Sequence, residues 1–156
     1  MIPRLPKGFS HPVPLDGGGF ATVYRARHTT LDRLVAVKII KEPDKQARNR
    51  LLNEARTQAR LSIEHIPEVY DAFEWRGQVC IVMQRIKGSS LATILRREIT
   101  ENQRVALADR IITALAALHA RGYAHRDFKP ANIVVSPDQG IFLIDFGFTK
   151  QVIDGE

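Results

Sequence analysis

The stretch "HRDFKPANIVVSPDQGIFLID", His125 to Asp145, decides how the rest of the chain is read. Residues 133–135 ("IVV") and 141–144 ("IFLI") are short apolar runs, and "SPDQG" between them is a turn signal. Together they predict a β-hairpin. Asn132 immediately precedes its first strand and Asp145 immediately follows its second. An antiparallel hairpin brings those two positions to the same open end, so an amide oxygen and a carboxylate become neighbours. Paired oxygen ligands suit a hard cation such as Mg²⁺, which keeps waters and shares phosphate oxygens. Asp127, in the loop before Asn132, adds a second carboxylate to that corner. Singly, each acid reads as a surface or turn residue; their convergence is what argues for a site.

Upstream of this hairpin, "ENQRVALADRIITALAALHARG" reads as an amphipathic helix ended by Gly122. Val105, Ala108, Ile112, Leu115 and His119 fall at 3-4 spacing and predict its buried stripe. A shorter helix, Ser90–Arg97, is capped by the serines before it. The first half is richer in strands. "ATVYRARH" (Ala21–His28) and "RLVAVKII" (Arg33–Ile40) alternate around the polar turn "TTLD". Two more strands, Glu68–Glu74 and Val79–Gln84, flank "WRGQ". Between the pairs, Pro43 and Asp44 start a helix that runs to Leu61. Pro12 and Pro14 remove two backbone donors from the first strand, which is therefore expected to be irregular and at an edge. The chain is thus an α+β protein with a strand-rich part and a helix-rich part, joined at "QRIKG" (Gln84–Gly88).

Two further constellations bear on chemistry. "LDGGGFATVY" places three glycines between strand-like segments, which lets backbone N–H groups approach phosphates. A hairpin turn without a ligand fits the same residues. Lys38 shares one strand face with Ala36 and Ile40. Glu54 lies on the stripe of Ala47, Leu51 and Leu61, where a carboxylate needs a cation. Lys38 can supply it; so can Arg50, one turn earlier on an exposed face.

Bulk properties exclude some classes. A 44% apolar composition over 156 residues is that of a globular protein with a core. No window approaches the roughly eighteen apolar residues of a membrane span. The N-terminal "MIPRLPKGFSHPVP" has no apolar run of the secretory kind. The single cysteine, Cys80, fits a reducing compartment, so a cytoplasmic setting is expected. The net charge of +6 comes from scattered basic residues interleaved with acids. It selects no nucleic-acid partner.

Glycine loop, "VAVK", helical glutamate, "HRDFKPAN" and "DFG" occur in that order from about Phe9 onward. The chain therefore resembles the serine/threonine protein kinases, specifically the eukaryotic-like (Hanks-type) group of bacteria. The resemblance implies an antiparallel-sheet N-lobe with one key helix over residues 1–84, a hinge at 85–88, and a partial helical C-lobe over 89–156. It implies ATP and Mg²⁺ as cofactors and a protein Ser or Thr as acceptor. Gly17, Gly18 and Gly19 would cover the phosphates, and Leu15, Val23, Ala36, Met83, Gln84 and Ile86 would line the adenine site. Lys38 would hold the α- and β-phosphates, oriented by Glu54. Asp127 would be the catalytic base, Lys129 would offset charge on the transferring group, and Asn132 and Asp145 would hold Mg²⁺. Arg126 and the "KPAN" continuation favour a protein over a small-molecule substrate. His125 is expected to be a structural member of the loop.

The chain departs from that pattern in places. Asp16 and Ala21 stand where the family commonly has its first and third loop glycines, while Gly18 keeps the middle position. After Gly147 there is no activation-segment anchor and no further helix, so the sequence reads as part of a longer kinase. A nucleotide-binding, pseudokinase-like module without turnover and a small-molecule kinase are the rival readings.

Overall fold

The structure, a computed structural model, describes residues 5–17, 20–41, 43–145 and 150–151. Alternating β-branched residues build its first sheet. Strands β1 (Phe9–Gly17), β2 (Ala21–His28), β3 (Arg33–Ile40), β4 (Val69–Trp75) and β5 (Gln78–Gln84) pair antiparallel in the order β1-β2-β3-β5-β4. The two-residue period sends Ala26, Val35, Val37, Ile39, Cys80 and Val82 to one face, where aromatic residues including Phe9, Tyr24 and Trp75 cover them. Burial pushes the Cys80 thiol up to about 11, so it sits there as a neutral, space-filling group. The opposite face carries Ile40 and Val79, which pack with Leu51 and Leu52 of helix α1 (Lys45–Arg60). Asp44 caps that helix by accepting from the Ala47 N–H at 2.7 Å.

Turn chemistry accounts for the sheet's connections and its edge. β4 and β5 are joined by Arg76 and Gly77, both with positive φ (51° and 75°), the conformation that matches strand twist in two-residue hairpins. β1 is the edge strand expected from its prolines. Its register with β2 shifts between Ser10 and Val13 and again between Pro14 and Asp16, and His11 takes φ 51°.

The remaining elements are β6 (Ser89–Ser90), α2 (Leu91–Ile94), α3 (Glu101–Ala120), β7 (Tyr123–Ala124), a 3-10 turn at Pro130–Asn132, β8 (Ile133–Ser136), β9 (Gly140–Leu143) and β10 (Lys150–Gln151). β6, β8 and β9 form a small antiparallel sheet in that order, and β7 pairs with β10. Gly88 admits the close approach at the start of β6: a Cβ there would lie 2.3 Å from the Val135 carbonyl oxygen. The helix expected at Ser90–Arg97 is shorter than predicted. Ser90 does cap it, but Arg96 and Arg97 donate three residues back, to Thr93 and Ile94, so the α-turn tightens and stops.

α3 begins with a full capping box between Thr100 and Gln103. Its buried stripe differs from the one predicted. Ala114 and Leu118 are buried, flanked by the half-buried Leu107 and Ile111, and the helix packs on β7 and β9. Val105 and Ile112 are 63% and 64% exposed, and Ala108 and His119 are exposed too. Apolar residues occupy most of this helix's circumference, so spacing alone did not single out the face that the hairpin selects.

The chain divides into two compact units, Met1–Leu61 with Glu68–Arg85, and Ser62–Pro67 with Ile86–Glu156. Among the described residues no helix is long and apolar enough to cross a membrane.

Candidate active site

The loop after β7 is built to present Asp127. His125 is 2% exposed, and its Nε2–H donates to the Ile144 carbonyl at 2.6 Å. Arg126 takes the left-handed conformation, φ 61°, which reverses the chain. Pro130 then opens the 3-10 turn, where its fixed φ suits a first helical position. That turn carries Asn132 back under the loop. The Asn132 amide donates from Nδ2 both to the Asp127 backbone carbonyl and to its Oδ2, each at 2.9 Å. Lys129 Nζ stands 3.2 Å from the same Oδ2. These contacts hold the Asp127 carboxyl below its usual value: chiefly the Lys129 hydrogen bond, then the Asn132 hydrogen bond and the charges of Lys129 and His125, against some desolvation. The result is a carboxylate that is ionised, half-exposed and aimed by donors on two sides.

The predicted hairpin forms, with Ile133 opposite Leu143. The next pair is Asn132 with Ile144, whose N–H donates to the Asn132 carbonyl at 2.9 Å. Ile144 is therefore held at both backbone groups, by Asn132 and by His125. Asp145 follows directly in the left-handed region, φ 58°, where Asp is among the better-tolerated side chains. With both Asn132 Nδ2 protons directed at Asp127, its amide oxygen is the group left to accept or ligate.

The other predicted residues lie in the first unit, apart from Ile86. Val23 is paired directly across from Lys38, and Ala36 across from Met83, so all four share the sheet face that α1 covers at its Ile40 end. Ala36 is buried; Val23, Lys38 and Met83 are half-buried. Gln84 exchanges hydrogen bonds with the Glu68 backbone, and Leu15 is 50% exposed on the edge strand. Glu54 is half-buried on α1. Burial raises its carboxyl pKa, and the Arg50 charge opposes that rise. Gly17 ends β1, whereas Gly18 and Gly19, with the Phe146–Gly147 part of "DFG", lie outside the described residues.

One participant escaped the sequence reading. His65, in the connection between α1 and β4, bonds twice to β9, accepting from the Leu143 N–H and donating to the Ile141 carbonyl. The available signal was a connection carrying Ile63, Ile66 and Pro67, residues that need a surface to bury against.

A strand-rich unit with one packed helix, and a hairpin whose open end gathers Asp127, Lys129 and Asn132, together define the class: this chain belongs to the protein kinase family, whose "Protein kinase domain" pattern matches residues 13–156. Among its relatives, serine/threonine-protein kinase PknE of Mycobacterium tuberculosis is 40% identical over 142 residues, covering 88% of this chain and 25% of that protein. Serine/threonine-protein kinase PknH of the same species is 37% identical over 145 residues, 90% of this chain and 23% of the relative. Serine/threonine-protein kinase PknD is likewise 37% identical over 145 residues, 90% of this chain and 22% of its own length. The chain spans about a quarter of the length of the curated relatives it matches.

Proposed function

We propose that this sequence carries the catalytic centre of a serine/threonine protein kinase, which moves the γ-phosphoryl group of ATP to a Ser or Thr hydroxyl of a protein substrate. A cytoplasmic setting goes with this reading. The observation that carries it is the Asp127–Lys129–Asn132 cluster, in which the Lys129 and Asn132 side chains converge at 2.9–3.2 Å on the Asp127 carboxylate, Asn132 also reaching the Asp127 backbone carbonyl.

Asp127 receives the acceptor hydroxyl's proton as the new P–O bond forms and the bond to the ADP oxygen breaks. Its depressed pKa makes it a weak ground-state base, which suits a loose phosphoryl transfer in which the proton leaves late. Until then it orients the hydroxyl. Lys129, half-exposed beside it, would also meet charge on the transferring group. Lys38, reaching from the helix-covered sheet face, would bind the α- and β-phosphates with Glu54 as its orienting partner. Val23, Ala36, Met83, Gln84, Ile86 and Leu15 would line the adenine site, under Gly17, Gly18 and Gly19.

The donor chemistry fits Mg²⁺. Among the described residues no group of three or more His, Cys, Asp or Glu forms a metal site. A carboxylate from Asp145 and the free amide oxygen of Asn132 are instead the sparse hard-oxygen set that Mg²⁺ takes alongside phosphates and water. When bound, the ion neutralises negative charge on the β- and γ-phosphates.

Two variants test the assignment. Asp127→Ala is expected to lower phosphate incorporation by roughly 10²-fold or more while nucleotide binding survives. Asp145→Ala is expected to lose both Mg²⁺-dependent nucleotide binding and transfer. Wild-type transfer rates in the two variants would overturn the reading, and nucleotide binding without transfer in the unmodified protein would favour the pseudokinase-like alternative.

A further inference from the structure

β9 has two edges, and β8 occupies one of them. The hydrogen-bonded pair Asn132–Ile144 fixes the alternation: the N–H and C=O of Phe142 point to β8, so those of Ile141 and Leu143 point to the other edge. On that edge, among the described residues, His65 makes the contacts. Its carbonyl accepts from the Leu143 N–H at 2.8 Å, and its Nδ1–H donates to the Ile141 carbonyl at 2.9 Å. Bonding to residues one before and one after Phe142 is what a residue of a parallel strand does. Here the imidazole Nδ1–H takes the place of the main-chain N–H. His65 reaches this arrangement with φ 67°, a conformation few side chains adopt without local support. The support is present: Ile63, Ile66 and Pro67 are buried around it, and the Ile66 N–H closes a turn onto the Ile63 carbonyl at 3.2 Å.

β9 is the strand that delivers Asp145. One edge of its final residues is fixed by β8, and Ile144 is fixed by Asn132 and His125. Only His65 fixes Ile141 and Leu143 from the opposite side among the contacts of the described residues. A strand held on one edge alone can rock about that edge, and the motion is largest at its end. We propose that His65 is a positioning residue for Asp145, acting through its Nδ1–H and its carbonyl as a one-residue strand. This rests on the reading of Asp145 as a Mg²⁺ ligand, because a ligand's outer partners set metal affinity by holding its direction.

The test uses this chain with Mg²⁺ and ATP as probes. Two quantities are measured: hydrogen exchange at the Leu143 amide, and the Mg²⁺ concentration that gives half-maximal ATP binding by calorimetry. The variants are His65→Ala, His65→Asn, His65→Gln and Asp145→Ala. Asn places a side-chain N–H as far from the backbone as Nδ1, whereas Gln places it one bond too far. In the Ala and Gln variants Leu143 exchange should accelerate, with the Val35 and Val82 amides unchanged, and the Mg²⁺ requirement should rise roughly tenfold. The Asn variant should stay near wild type in both. A purely structural histidine would change exchange without moving the Mg²⁺ requirement, and that result overturns the proposal. If His65→Ala does not fold, the Asn–Gln pair decides, and equal Mg²⁺ requirements in the two overturn it. Asp145→Ala separates the two levels. A Mg²⁺ requirement unchanged by Asp145→Ala brings down the metal reading and the positioning role with it. A requirement that shifts with Asp145→Ala but not with His65→Gln brings down the positioning role alone.

Discussion

Asp127 shows how a few neighbours define one side chain's chemistry. Its carboxylate keeps substantial solvent access; the Lys129 donor has the largest effect, desolvation opposes it, and the Asn132 donor adds to the lowering. Both donors favour the charged form, which is why its pKa falls rather than rises. For an acid with a depressed folded-state pKa, the linked stabilisation is present above the unfolded-state value and fades as pH falls through the folded one. The relevant window therefore lies below the ordinary 3.8. In a carboxyl-carbon NMR titration, Asp127 should show a midpoint under 3.8, and Lys129→Ala should move it upward more than Asn132→Ala does. A Lys129→Ala midpoint unchanged from wild type would mean that the ammonium does not govern this carboxylate. Asp127 and Asn132 were both legible as site candidates in the sequence, because a hairpin's ends are fixed by its turn. The bond between them was not legible, since it depends on how the 3-10 turn at Pro130–Asn132 folds back.

At the scale of elements, strands were read more closely than helices. β2 and β3 have the limits their alternation predicts, since a period of two has only two faces and the apolar set chooses between them. α3 offered no such choice. Its alanines and aliphatic residues form several 3-4 stripes, and the stripe that is buried, through Ala114 and Leu118, was settled by contact with β7 and β9. Substitution can verify this directly. Leu118→Ala in this chain should cost about 2–5 kcal/mol, the range for emptying a packed core site. Ile112→Ala, on the 64% exposed face, should change stability by no more than about 0.5 kcal/mol. Chemical denaturation of the two variants checks the assignment, and equal losses would restore the stripe of Val105, Ile112 and His119. The segment Ser62–Pro67 was illegible for a related reason: its partner, β9, lies far along the chain, and no local pattern announces it.

For the whole molecule, the order of motifs carried more information than any composition. The +6 charge chose no ligand, and the pairing of Glu54 stays open between Lys38 and Arg50, although the Arg50 charge does act on Glu54. Whether this length of chain, about a quarter of its relatives, assembles the proposed nucleotide site is a property of the folded state and not of motif order. Binding linkage answers that globally, because a ligand that prefers the folded state raises its stability by RT ln(1 + [L]/Kd), about 2.7 kcal/mol at roughly a hundred times Kd. ATP with Mg²⁺ should therefore raise the melting temperature of this chain by several degrees. EDTA should remove most of that rise for wild type and little of the smaller rise left in Asp145→Ala. Lys38→Ala should abolish it under both conditions, since that side chain is proposed to meet the phosphates directly. A chain whose melting temperature ignores ATP with and without Mg²⁺ would show that the residues are present but the binding site is not assembled at this length. An undiminished rise in Lys38→Ala would instead place the nucleotide somewhere other than the helix-covered face of the first sheet.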